Sequence, residues 1–240
     1  MDLTFSWLSL LSFGDQGWGD ELLRGACLSL AIAACAYIIG LLLGLVGAVA
    51  KLSGNKVAVV LASAYTTIIR SIPDILIIFL VYYTATDAFR SLMSHSGFSS
   101  EFQLNGFVAA AFSLGIVQGG YSTEVLRGAI VAVASGQSEA ASALGLTRRQ
   151  IFFLIILPQM FPLALPGLGN LWLVVLKESS LVSLIGFTEL VLVGKMAAGA
   201  SRHYLLFYTS VGAIFLIMSG ISAALIHLME IKTYRAWRHG

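Results

Sequence analysis

Long apolar runs alternate with short polar stretches along the chain, at about Leu23–Ala50, Val57–Thr84, Gly106–Val131, Phe153–Leu176 and Tyr204–Met229. A helix needs about 20 mainly apolar residues to cross a ~30 Å hydrocarbon layer, so the pattern predicts about five transmembrane helices in an all-α polytopic membrane protein. The second run is overlong: as one straight helix it would reach about 42 Å, so it tilts, protrudes or breaks. The natural break is Arg70-Ser71-Ile72-Pro73-Asp74. Pro73 has no N–H, clashes with the preceding turn and pushes Ile72 out of helical geometry.

The stretch between Val131 and Phe153 is polar yet patterned for helix. Its alanines favour helix up to Leu144, where Gly145 can take the left-handed position that ends it. Thr147 with Gln150 three residues on then reads as a capping box starting a second helix. Two short helices meeting at an angle are expected. An amphipathic connector lying on lipid headgroups is one reading, and a DNA-reading helix-turn-helix another, disfavoured because both ends are tied to the bilayer. Docking of a soluble partner explains more: Ala140, Ala141 and Ala143 let another backbone come close, and Glu139 supplies one charge for recognition.

Composition narrows the class. The chain is 58% apolar and 11% charged, against about 25% charged in soluble domains. A net charge of +2 with scattered basic residues gives no nucleic-acid stripe. Cys27 and Cys35 lie about 12 Å apart along one helix, beyond disulfide reach, and read as buried packing residues. His95, His203, His227 and His239 have no ligand spacing, so no metal site is read. Met1-Asp2-Leu3-Thr4 lacks a basic signal-peptide start, and the chain is treated as unprocessed. Lys51 with Lys56, Arg148 with Arg149, and Lys232, Arg235 and Arg238 fall on one side if the N-terminus is outside and the C-terminus cytoplasmic. Asp15, Asp20, Glu21, Arg24, Asp87, Arg90, Glu101, Lys195 and Arg202 then share the other side. These boundaries give an extracytoplasmic segment 1–22, a transmembrane domain 23–231 with a cytoplasmic loop at about 132–158, and a basic tail 232–240. No internal repeat is visible, which weighs against many secondary carriers.

Several polar residues stand inside apolar runs, where charge faces a cavity or a partner. Glu124 and Arg127, three apart on one helical face, read as a structural ion pair. Lys177 and Glu178 are adjacent, point differently and can mark the outer end of the fourth span. Asn170 is a pore candidate one turn after Pro166. Arg70 and Asp74 permit a local ion pair; alternatively the Ser71-Ile72-Pro73 break offers backbone amides to a substrate carboxylate while Asp74 favours a cationic group. Pro158, Pro162 and Pro166 recur every four residues and predict kinks at which the fourth span can flex. The chain has no G-x-x-x-x-G-K-[ST] loop for ATP.

Glu139-Ala140-Ala141, Gly145 and Ile156-Leu157-Pro158 resemble the EAA motif of ABC-importer permeases. The match is sharpened by Arg70-Ser71-Ile72-Pro73, Gly120-Tyr121-Ser122-Thr123-Glu124-Val125-Leu126-Arg127-Gly128, Gly136-Gln137, Pro158-Gln159, Leu165-Pro166, Asn170 and Lys177-Glu178-Ser179-Ser180-Leu181. Together they look like the polar amino acid uptake family with a MetI-like fold. Asp74 and Gly169-Asn170-Leu171-Trp172 look most like the Q-type permease of histidine/lysine/arginine/ornithine or octopine/nopaline systems. Ser71 replaces a glycine common in that family, and Glu178-Ser179 a frequent Asp-Thr.

The resemblance implies a bacterial inner-membrane subunit that is not itself an enzyme and has no catalytic residues or cofactor. ATP and Mg2+ would be used by two ATP-binding subunits. Its other partners would be a second permease, a periplasmic amino-acid-binding protein and membrane lipid. Glu139, Ala140, Ala141, Gly145 and Pro158 would couple to the motor; Ser71, Ile72, Pro73, Asp74 and Asn170 would line the pathway. The rival readings are a stand-alone secondary carrier or ion channel, and a membrane scaffold.

Overall fold

The computed structural model describes residues 9–14, 17–95 and 105–238. Met1 to Thr4, Asp15, Glu101 and His239 lie outside the described residues, as do the side chains of Arg90, His95, Arg235 and Arg238. Every regular element among the described residues is a helix, without strands: α1 Gly19–Leu52, α2 Lys56–Ser71, α3 Asp74–His95, α4 Gly106–Val131, α5 Ser135–Ala143, α6 Arg148–Ile185, α7 Leu190–Ser201 and α8 Tyr204–Arg238. Three stretches are long and apolar enough to cross a membrane: α1, α6 and Tyr204–Thr233 of α8. A fourth follows if α2 and α3, bent by 116°, form one broken span.

The overlong second run therefore breaks, and it does so where proline dictates. Asn55 caps α2 by accepting from the Val57 N–H at 3.0 Å. At the other end Ile72 swings to extended backbone, φ −104° and ψ 139°, the geometry forced on a residue before proline. Helix α4 falls short as a lipid-facing span for a different reason. Its Gln118, Ser122 and Thr123 are fully buried, so neighbouring helices rather than lipid set its composition.

The chain divides into two compact units. One comprises residues 1–36, 78–114 and 174–221; the other comprises 37–77, 115–173 and 222–240. In the first unit Leu22 and Ala26 of α1 pack with Leu190, Val193, Ala197 and Ala198 of α7 and with Phe207 and Val211 of α8. Trp18 meets Phe207 edge to face, with centroids 6.4 Å apart. Helix α7 is an element the hydropathy pattern did not isolate. Glu189 starts it, accepting from the N–H groups of Val191 and Leu192 at 2.9 and 3.1 Å. That carboxylate also accepts from the Ser29 hydroxyl at 2.9 Å.

In the second unit Ala48 of α1, Leu126 and Ala129 of α4, and Met160, Ala164 and Leu168 of α6 form the core. Helices α1 and α4 approach closely at Gly44, where a β-carbon would sit 2.4 Å from Cβ of Ser122. Only glycine allows that separation, the usual device of membrane helix packing. The two cysteines are free, as the spacing predicts, but Cys27 is exposed and Cys35 half-buried. Their expected role as buried packing residues is corrected: neither is buried, and both are presented at the surface of α1.

Helix α6 changes character along its length. An α turn at Arg148–Gln150 leads into a π-helical segment, Ile151–Ile156, then α-helix Leu157–Glu178, then a 3-10 stretch Ser179–Ile185 closed by Gly186 at φ 83°. Proline explains the π segment. In α register Pro158 would owe Leu154 a hydrogen bond it cannot donate, and its ring would strike that carbonyl. The ladder instead opens by one residue, with the Leu157 N–H bonding the Phe152 carbonyl. Pro162 and Pro166 follow inside the α-helical part.

Candidate functional site

The polar loop folds into one exposed helix held at both ends. Helix α5 stops at Ala143, and Leu144 is its C-cap. Gly145 then takes φ 81°, the left-handed position that glycine alone occupies without strain. Its N–H bonds the Ser142 carbonyl at 3.0 Å and the Leu146 N–H bonds Ala141 at 3.2 Å, which together make a Schellman stop. Thr147 opens the next helix with the expected box: its N–H donates to Gln150 Oε1 at 2.9 Å, and its hydroxyl accepts from the Gln150 N–H at 3.4 Å. The second helix is not a separate short one, however. It is the first turn of α6, because nothing between Gln150 and Leu157 ends the helix; the ladder widens instead of stopping.

Glu139, Ala140 and Ala143 are exposed on α5, whereas Ala141 is 3% exposed and packs inward. Two of the three alanines therefore face outward. Gln137, a turn into α5, accepts a hydrogen bond of 3.2 Å from Gln159 Nε2, one residue past the exposed Pro158. The loop is thus fastened to α6 on both sides of the π segment. The glutamines belonged to quoted dipeptides, but their spacing of twenty-two residues gives no helical reason to pair them.

The expected pair of Glu124 and Arg127 forms, with Arg127 Nε donating at 3.1 Å. A partner that sequence reasoning missed completes it: Lys51 Nζ pairs with the other Glu124 oxygen and donates to the Thr66 hydroxyl at 2.6 Å. Lys51 reads as a loop charge at the end of an apolar run, yet its side chain is only 13% exposed. The available signal was Glu124 itself, a carboxylate within an apolar run whose second oxygen is left open by Arg127.

At the break, Ser71, Ile72 and Pro73 are exposed and Asp74 is half-buried. The local Arg70–Asp74 pair does not form among the described residues. The chain turns between them, and Asp74 Oδ1 instead accepts from the Tyr121 hydroxyl at 3.0 Å. Asp74 also stands in the first turn of α3, where the helix dipole favours negative charge. Arg70 and Ser71 line a polar cavity of about 310 Å³ together with Lys51, Thr66, Thr67 and Glu124.

Asn170 is exposed on α6. Beside it the Tyr37 hydroxyl donates to the Leu168 carbonyl at 2.9 Å, and Gln118 reaches the Leu171 carbonyl at 3.4 Å. No hydrogen bond joins Asn170 to the Ser71 to Asp74 break among the described residues. Lys177 and Glu178 close the α-helical part of α6. No cluster of three metal-ligating side chains occurs among the described residues.

Comparison with known proteins places this geometry in a family. The family model described as binding-protein-dependent transport system inner membrane component matches residues 25–231. The octopine transport system permease protein OccQ of Rhizobium meliloti is 40% identical over 240 residues, covering 98% of this chain and 99% of the relative. The histidine/lysine/arginine/ornithine transport system permease protein HisQ of Escherichia coli (strain K12) is 35% identical over 214 residues, covering 89% and 93%. A crystal structure of an amino acid ABC transporter with histidines superposes with a TM-score of 0.76 at 31% identity, covering 90% of this chain and 95% of that one. The chain belongs to the family of inner-membrane components of binding-protein-dependent transport systems, as an ABC permease of MetI-like fold.

Proposed function

We propose that this chain is the Q-type permease subunit of an ATP-driven importer for basic amino acids, of the histidine, lysine, arginine and ornithine class, or for opines. It crosses a bacterial inner membrane five times, the broken α2–α3 pair and α4 each supplying a crossing, with its N-terminus outside and its C-terminus in the cytoplasm. It pairs with a second permease, and the two work with two ATP-binding subunits and a periplasmic amino-acid-binding protein. ATP and Mg2+ are bound by the ATP-binding subunits. The named relatives support the amino acid or opine class.

The observation that carries the reading is α5. It is a short helix with Glu139 and Ala140 exposed, stopped by Gly145 and strapped to α6 through Gln137 and Gln159. Such an element protrudes without being loose, so a push on Glu139 is delivered to α6 and not absorbed by a flexible loop. Pro158 stands where the strap meets the π segment. Substrate passes the Ser71-Ile72-Pro73 break, with Asp74 and Asn170 as polar contacts.

The test is substrate-stimulated ATPase activity and co-purification of the ATP-binding subunit with Glu139→Ala and Gly145→Leu. Insertion in the membrane is expected to persist while both readouts fall. Unchanged values for Gly145→Leu would rule out docking through this loop.

A further inference from the structure

The polar cavity beside the break carries two cations and one carboxylate in its lining, Lys51, Arg70 and Glu124. Of its charged lining residues, Lys51 and Glu124 neutralise one another, and Glu124 also takes Arg127. Arg70 is left over: it is exposed into the cavity region and makes no ion pair or side-chain hydrogen bond among the described residues. The hydroxyls of Thr67 and Ser71, on the same lining, also make no hydrogen bond within the chain among the described residues. Arg70 therefore keeps its hydrogen-bonding capacity for a ligand, and its planar fork matches a carboxylate. At about 310 Å³ the space lies at the lower end of the ~300–1,000 Å³ typical of small-molecule sites.

We propose that Arg70, with Thr67 and Ser71, binds the carboxylate of the transported molecule. This rests on the reading that the Ser71 to Asp74 break lies on the pathway, and it adds a polarity to that pathway. Arg70 ends α2 and Asp74 begins α3, so opposite charges flank Ile72 and Pro73. The carboxylate goes to Arg70 and the cationic group towards Asp74, whose carboxylate Tyr121 holds in place. Lys51 is kept from competing for the ligand by Glu124 and Thr66. An amino acid whose carboxylate is blocked would lose its main anchor here.

The experiment uses the complete purified transporter without its extracytoplasmic binding protein, so that only the membrane site is read. Binding of labelled L-arginine is compared with that of L-arginine amide, which keeps the guanidinium and lacks the carboxylate. The unmodified transporter should prefer arginine by about tenfold, the weight of one charge-assisted contact. Arg70→Gln should erase that preference and Arg70→Lys should keep part of it. If Arg70→Gln does not assemble, Thr67→Val should still lower the ratio by about threefold. An unchanged ratio in the variant that assembles overturns the proposal.

A separate arm tests the pathway reading. With the native cysteines replaced, Ser71→Cys should be shielded from a thiol reagent by arginine. Absence of shielding removes the pathway reading and the proposal with it; shielding with an unchanged ratio removes the carboxylate assignment alone. Loss of co-purified anionic lipid from Arg70→Gln, with arginine binding unaltered, would assign the cavity to a lipid headgroup and overturn the proposal.

Discussion

Glu124 is held from two sides, by Lys51 at the end of α1 and by Arg127 one turn further along α4. Replacing Lys51 with methionine strands part of that charge. With Glu124 still 23% exposed, the loss should be about 2–3 kcal/mol, somewhat below the range for fully buried pairs. Thermal unfolding of the purified transporter should show it, and adding Glu124→Gln to Lys51→Met should recover most of it, because no lone charge remains. A second outcome concerns the break. Asp74→Asn should lower uptake of arginine-like substrates more than of neutral ones, and adding Arg70→Gln should not restore it, since Tyr121 and not Arg70 is the partner of Asp74. Restoration by the double change would return Asp74 to a scaffold role. At this scale the pair three apart on one helix was legible, because helical geometry alone brings Glu124 to Arg127. Lys51 and Tyr121 were not, because their contacts depend on how separate helices cross.

At the scale of elements, the stops and starts around the loop were readable almost to the residue. Gly145 and the Thr147 to Gln150 box act through bonds spanning a few residues, which sequence specifies directly. The π segment was hidden because it answers a proline lying two residues beyond its own end. Helix α7 was hidden too, since twelve residues are too few for a crossing and its cap, Glu189, is explained by a serine far off in sequence. Gly145→Leu forces a β-carbon into left-handed backbone at a cost of about 1–2 kcal/mol, and circular dichroism should show little change in helix content while ATPase coupling falls. The strap can be tested by exchange. Gln159→Leu should reduce transport per ATP hydrolysed, and Gln137→Glu with Gln159→Lys should restore coupling by replacing the hydrogen bond with an ion pair. Failure of the exchange, with normal assembly, would make the glutamine contact incidental.

For the whole molecule, orientation is checked by labelling intact cells with a membrane-impermeant thiol reagent. Cys27, being exposed, has to be replaced first along with Cys35. Cysteine at Ser53 or Ser142 should then stay unlabelled, and cysteine at His203 should react; reaction at Ser142 from outside would overturn the topology and the coupling reading together. The all-helical class followed from the lengths of the apolar runs, whereas the number of crossings did not follow from hydropathy alone, because α4 spends its polar side chains on neighbours. The π segment has a consequence of a different kind. A helix turns about 100° per residue, so the single extra residue between Gln150 and Leu157 sets the rotational phase of everything after it. Closing the ladder to α-helix with every residue kept, as Pro158→Ala would allow, would turn Asn170 and the remaining prolines by about 100° and push them on by about 1.5 Å relative to the loop. The loop and the pathway face of α6 are therefore indexed to one another like two gears on one shaft, and closing that one widened turn misaligns them without removing a residue.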